Sequence, residues 1–256
     1  MSTPPPPMSN PPVPEPQPVE PGLSEPARII NTYIAPSKTF TDIRRNAGWW
    51  VPWLLVSIFS ISFFILIEKK VGFDEVARHM MESNSRIQQM PPEQQERVIS
   101  ITATSMKYAG YASPVFILFY ALVIAGVLWL TFNFVMDAQI PFSRAMSVVL
   151  YGWLPALVGT LLAMLTLGLG NPEGFRMENP VGTNPAYFMD YATTPKFLYG
   201  FVSSFDVISL WCVALIGLGF ALNARKKISA GTGIAVVAAW FFVYKLGSAA
   251  IAALRS

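Results

Sequence analysis

Of 256 residues, 53% are hydrophobic and 13% charged, about half the charged share of an ordinary soluble domain, which excludes a soluble chain of usual make-up. The net charge of +3 and pI near 9.0 come without any arginine stripe interleaved with aromatics. Nucleic acid is therefore excluded as a partner, and lipid head groups answer the basic residues that flank the apolar runs.

The chain divides in two. Residues 1–26 hold half of the 22 prolines; such a segment cannot bury a core and is expected as an extended, disordered tail, a solvated spacer or a ligand for an SH3 or WW groove. No basic region followed by an apolar core marks a signal peptide here. Residues 27–256 are expected to form a membrane domain. It opens on one or two short helices across residues 26–46, interrupted at Pro36, with Ser37 as an N-cap. Their apolar positions Ile29, Ile30, Tyr33, Ile34, Phe40 and Ile43 recur at helical spacing between basic residues. That pattern suits either a segment lying on the lipid surface with its cations toward anionic head groups, or a cap packed on the bundle.

Five runs exceed or approach the roughly 18 residues that cross hydrocarbon: 49–67, 114–136, 145–170, 197–222 and 231–254. The first three hold no charge, and Trp49, Trp50 and Trp53 mark an interface. Between the first two runs, Phe73, Val76, Ala77, Met80, Met81 and Ile87 make an amphipathic stripe. Pro91-Pro92 breaks it, and a second pattern follows with Val98, Ile101 and Met106. A charged helical hairpin is expected, nearly continuous with the spans on either side.

The short loop 137–144 makes the second and third spans antiparallel neighbours. Gly152, Ala156, Gly159 and Ala163 form a small-residue seam on the third span, which also holds Tyr151 and Pro155. Gly231, Ala235 and Ala239 form a similar seam on the fifth. Residues 171–196 are rich in Asn-Pro turns, with a short helix expected near 186–191. The architecture read from these elements is an all-α integral membrane protein: five transmembrane helices, a helical hairpin between the first two and a disordered Pro-rich N-terminal tail.

Arg28, Lys38, Arg44, Arg45, Arg144, Arg225, Lys226 and Lys227 all fall on one side of a five-span topology, which places the N-terminus in the cytoplasm and the C-terminus outside. The first loop balances basic with acidic residues and carries little weight.

Two ionisable residues lie within the spans, Asp206 and Lys245. A lone charge there costs at least about 2.5–3.5 kcal/mol, so the two are expected to meet across adjacent helices. Catalysis is not expected. The single histidine, His79, lies in the hairpin and no second carboxylate joins Asp206, so neither a serine nor an aspartyl intramembrane protease can be assembled. The single cysteine, Cys212, excludes an internal disulfide and reads as a small packing residue. No zinc motif, phosphate loop or Cys-x-x-Cys pair occurs, and no metal or cofactor is expected.

The ordered set Arg28-Ile-Ile-Asn-Thr-Tyr-Ile-Ala-Pro36-Ser-Lys-Thr-Phe40, Tyr151-Gly-Trp-Leu-Pro155 and Phe205-Asp206-Val-Ile-Ser-Leu-Trp211, with Gly217, Gly219 and Lys226-Lys227, resembles the Yip (Ypt/Rab-interacting protein) domain family over about residues 25–255, particularly its bacterial members. The resemblance implies a five-helix membrane domain with a cytoplasmic N-terminus. Eukaryotic members are linked to vesicle transport and Rab GTPase binding through the cytoplasmic side. Asp206 and Trp211 match recurrent positions of the family.

The function expected is that of a non-enzymatic interaction or membrane-organising protein, partnered by the lipid bilayer, by a membrane or cytoplasmic protein, or by further copies of itself. A small permease or accessory transport subunit is the alternative, although five spans do not divide into two equal repeats. Asp206, Lys245, Tyr151, Pro155 and Trp211 are the structural residues backed within the membrane. The compartment expected is a bacterial cytoplasmic membrane, with Golgi or endoplasmic reticulum as the alternative.

Overall fold

Pro and Gly punctuate this chain, and the helices fall between them. The computed structural model describes residues 21–81, 85–170, 175–177, 179–191 and 193–255, with the backbone alone at 85, 86, 254 and 255. Most of the Pro-rich tail lies outside the described residues, but the chain is already helical before residue 27. Ser24 caps α1 (Glu25–Ile34), accepting from Ala27 N at 3.4 Å. Pro36 cannot extend α1 and pushes Ala35 out of helical geometry, to φ −149°. α2 (Pro36–Asp42) therefore starts on the proline itself, and Ser37 is inside the helix rather than its cap.

All regular structure among the described residues is helical. Four helical stretches are long and apolar enough to cross a membrane. The first is α3 (Trp50–Lys70). Gly72, at φ +85°, turns the chain into the hairpin of α4 (Phe73–Met81), a single turn α5 (Ser85–Gln88) and α6 (Pro92–Tyr111). Ala112 alone separates α6 from α7 (Ser113–Leu130), which runs into a π-helical turn over Thr131–Val135. The third stretch is broken once by Pro155, into α8 (Phe142–Gly152) and α9 (Ala156–Leu169). The last is α12 (Ala230–Arg255).

A fifth crossing takes a bent pair as one span. α10 (Lys196–Val202) and α11 (Val207–Asn223) meet at 55° across residues 203–206. The expected continuous run 197–222 is thus interrupted, because the Asp206 carboxylate accepts from Ser209 N at 2.6 Å and starts a new helix.

The bundle is built round α8, of which every residue from 145 to 152 is buried. The broad apolar faces of α3, α7 and α12 are largely uncovered by protein, as lipid-facing helices require. Phe40 and Ile43 of the lead-in are fully buried in the same core, each worth about 1.5–3 kcal/mol. A second core sits at the far end, where Phe73, Val76 and Ala77 of α4 pack on Ile99 and Ala103 of α6 with Ile67 and Leu167. The inward stripe of α6 is therefore Ile99 and Ala103; Ile101, expected to face in, is exposed.

Of the two small-residue seams, the first is buried at Ala163 and packed at Gly152 and Gly159, and fails at Ala156. A Cβ on Gly152 would sit 2.4 Å from Ile216, and one on Gly159 would sit 3.1 Å from Ile208, so both face α11, whereas Ala156 is exposed. On α12 the close approach is two residues from the expected Gly231, on nearly the opposite face of the helix. A Cβ on Gly233 would lie 2.3 Å from the Gly217 carbonyl oxygen, while Gly231, Ala235 and Ala239 are exposed.

Candidate functional site

Two polar constellations stand out of this apolar body, one at each end. At the end carrying the N-terminal helices, Arg28 is 1% exposed. Its Nε donates to Asp42 Oδ2 at 2.7 Å, its Nη2 lies 2.6 Å from the same oxygen, and its Nη1 lies 3.2 Å from Glu25 Oε1. Asp42 Oδ1 accepts from Leu23 N at 3.2 Å, and the Tyr151 hydroxyl donates to Glu25 Oε2. Burial alone would lower the Arg28 pKa; the bonds to Asp42 and Tyr151 and the charge of Glu25 outweigh it, so the pKa is raised and the guanidinium stays charged.

Around this ion cluster the backbone is tied in as well. Thr32 and Thr39 both donate to the Arg28 carbonyl, at 2.8 and 2.9 Å. The Tyr33 hydroxyl donates to the Leu154 carbonyl at 2.6 Å, just where Pro155 has broken the third span. Burial, and then the neighbouring Cys212, push the Tyr33 phenol up to about 12. Its ring meets Trp211 edge-on at 5.8 Å. Asn223 Nδ2 donates to the Phe40 carbonyl at 3.0 Å.

The lead-in is therefore a cap clamped to the bundle, and Arg28 is not one of the cations turned toward lipid. Tyr151 is fully buried and forms the floor of the clamp; Trp211 packs edge-on against Tyr33, and Pro155 follows the Leu154 carbonyl that Tyr33 bonds. Sequence reasoning missed Arg28, Asp42 and Glu25, whose partners lie as far away in the chain as Tyr151.

The same end gathers the basic loops. Arg144 Nη2 donates to the Arg44 carbonyl at 3.0 Å, while Arg225 N donates to the Ala138 carbonyl at 2.8 Å and its Nη1 to Gln139 at 3.3 Å. Ala138 is fully buried between two residues in left-handed conformation, Asp137 at φ 53° and Gln139 at φ 52°. Lys38, Arg44, Arg45, Arg225, Lys226 and Lys227 are exposed there, with Asp137 among them.

At the opposite end a cavity of about 290 Å³ opens at the break between α10 and α11. Asp206 and Lys245 both line it, with Thr183, Asn179, Asn184, Ser203, Ser209, Ala156 and Gly159. The two charged residues share the cavity but form no ion pair within 4.0 Å: the Asp206 carboxylate takes Ser209 N and the Thr183 hydroxyl, and Lys245 Nζ lies 5.7 Å from the Phe241 ring centre. The expected contact across adjacent helices is not made. Thr183 also accepts from Val207 N at 3.0 Å, so the loop ahead of the break is pinned to the helix after it. A 3₁₀ turn, Pro185–Phe188, occupies the place of the short helix expected near 186–191. Cys212 is buried on α11, and His79 pairs with Glu75 at 3.0 Å in the hairpin.

Compared with known families, the chain is matched by the family described as the Yip1 domain over residues 30–251. Searches of the curated proteins and of the solved structures each return no match.

Proposed function

Since the chain belongs to the Yip1 domain family and is a multi-pass integral membrane protein, we propose that it acts without catalysis, as an interaction or membrane-organising protein of the bacterial type. Its working surface is the basic end of the bundle. What supports this reading above all is the clamp: Arg28, Asp42, Glu25 and Tyr151 hold the lead-in that carries Lys38 and Arg44, and Arg225, tied to Ala138 and Gln139, stands exposed at the same end with Lys226 and Lys227. A fixed cluster of cations next to a membrane attracts an anionic leaflet or an acidic protein surface, at about 1 kcal/mol for each basic residue near the lipid.

On this reading the N-terminal end lies in the cytoplasm, by the density of lysine and arginine in the short flanks. The membrane is a bacterial cytoplasmic membrane, with Golgi or endoplasmic reticulum as the alternative. Photocrosslinkers placed at Ser37 and Thr41, exposed beside Lys38, test it in native membranes. A discrete crosslinked partner lost on Lys226→Glu with Lys227→Glu is the expected result. Crosslinks no different from those of a crosslinker at Val115 on the lipid-facing side of α7 would remove the proposal.

One observation favours a second reading. A discontinuous span whose break lines a cavity is a device of transporters, where unwound backbone and helix ends surround a solute. Flux into proteoliposomes that depends on Asp206 would establish a small permease or transport subunit in place of the organising role.

A further inference from the structure

The cavity at the broken span holds one anion and one cation that do not satisfy each other. Its geometry separates them. Asp206 keeps its place as the cap of α11 and is held by Thr183, so its carboxylate is a fixed acceptor; two bonds leave it further lone pairs. Lys245 comes from α12 and lines the same cavity, and among the described residues no carboxylate lies within 4.0 Å of its ammonium. Both residues belong to apolar helices, where an unneutralised charge is costly and is retained only beside protein partners, water or a ligand. The lining also includes the small residues Ala156 and Gly159 and the amides of Asn179 and Asn184, which bond each other at 2.9–3.0 Å. A volume of about 290 Å³ lies at the lower edge of small-molecule sites, enough for a headgroup and too small for a large solute.

We propose that this cavity binds a small zwitterion, its ammonium against Asp206 and its phosphate or carboxylate against Lys245. Two sources carry that chemistry. One is the phosphoethanolamine headgroup of a membrane lipid, entering from the bilayer beside α12; the other is a free amino-acid-like solute entering from the loop side. Neither source depends on the basic end of the molecule being an interaction surface, and binding can be read without flux.

The test uses the full chain in detergent micelles, titrated with short-chain phosphatidylethanolamine, with O-phosphoethanolamine and with glycine, and with short-chain phosphatidylglycerol as an anion lacking the ammonium. Binding is followed by native mass spectrometry for the lipids and calorimetry for the solutes. Saturable binding of at least one zwitterion is expected, with phosphatidylglycerol at least about tenfold weaker. Asp206→Asn retains an acceptor for Ser209 N and hence the cap, and Lys245→Met retains the apolar stem. Each is expected to weaken zwitterion binding about tenfold or more while the melting temperature stays near that of the parent. Preference for the lipid over both free solutes assigns the site to a headgroup, and the reverse preference assigns it to a solute. No saturable zwitterion binding, equal binding of phosphatidylglycerol, or affinity unchanged in both variants would overturn the proposal.

Discussion

Arg28 shows how far one side chain can set the behaviour of a segment. Its guanidinium is buried with Asp42 as its tightest partner, and removing one member of such a pair leaves the other charged and unsolvated. Asp42→Ala is expected to destabilise the protein by about 3–5 kcal/mol, read as a fall in melting temperature in detergent and as protease cleavage within residues 23–46. Arg28→Met combined with Asp42→Leu should cost less than Asp42→Ala alone; a double variant as damaged as the sum of its singles would show that the pair is not coupled. Tyr33 adds a dependence on pH. Its folded pKa of about 12 exceeds the ordinary value of 10.0, so the folded state holds the proton more tightly. The resulting stability is full below pH 10 and is lost as pH rises toward 12. Tyr33→Phe should flatten that alkaline limb relative to the parent, as followed by cap proteolysis across the range. None of this was legible from local pattern. An arginine beside an apolar stripe reads as a surface cation; its acceptors Glu25 and Asp42, and Tyr151, which donates to Glu25, converge only once α1, α2 and α8 are folded together.

Among the elements, α11 and α12 make the closest approach, backbone against backbone at Gly217 and Gly233. Gly233→Ala would place a methyl group 2.3 Å from a carbonyl oxygen and is expected to cost about 1–3 kcal/mol or more as the helices are forced apart. Gly231→Ala, whose nearest atom would be 3.9 Å away, should stay within about 0.5 kcal/mol of the parent. Thermal unfolding of the two variants side by side decides which glycine forms the seam. The sequence pattern favoured Gly231, since spacing alone does not say which face of an all-apolar helix meets protein and which meets lipid. The prolines were more readable. Pro36, Pro92, Pro141 and Pro155 each stand at a helix boundary, because a missing N–H and a fixed φ act locally. The break in the fourth span left a usable signal too: an aspartate directly ahead of an apolar run is an N-cap. The apolar residues on both sides of Asp206 read as one continuous run, and that hides its role as a start signal.

At the scale of the molecule, hydrophobicity gave the number and order of the crossings well, because a bilayer imposes a length and a polarity on each segment. If the bent pair counts as one crossing, the two ends of the chain lie on opposite sides. Reporter fusions at residue 21 and at residue 256 are expected to report opposite compartments, whereas the same compartment would leave only four crossings. The shape of that bent crossing carries its own consequence. α11 has 17 residues and so reaches about 25 Å, some 5 Å short of a typical hydrocarbon thickness of about 30 Å. α10, with 7 residues turned by 55°, adds about 6 Å along that axis, so the crossing reaches full thickness only with its bent half. Unravelling α10 would leave α11 alone too short to cross, and the lipids at this corner would then have to thin. Phe201→Pro, which breaks α10, is expected to move the phosphatidylcholine chain length of highest melting temperature downward, whereas no movement would show that α10 adds nothing to the crossing.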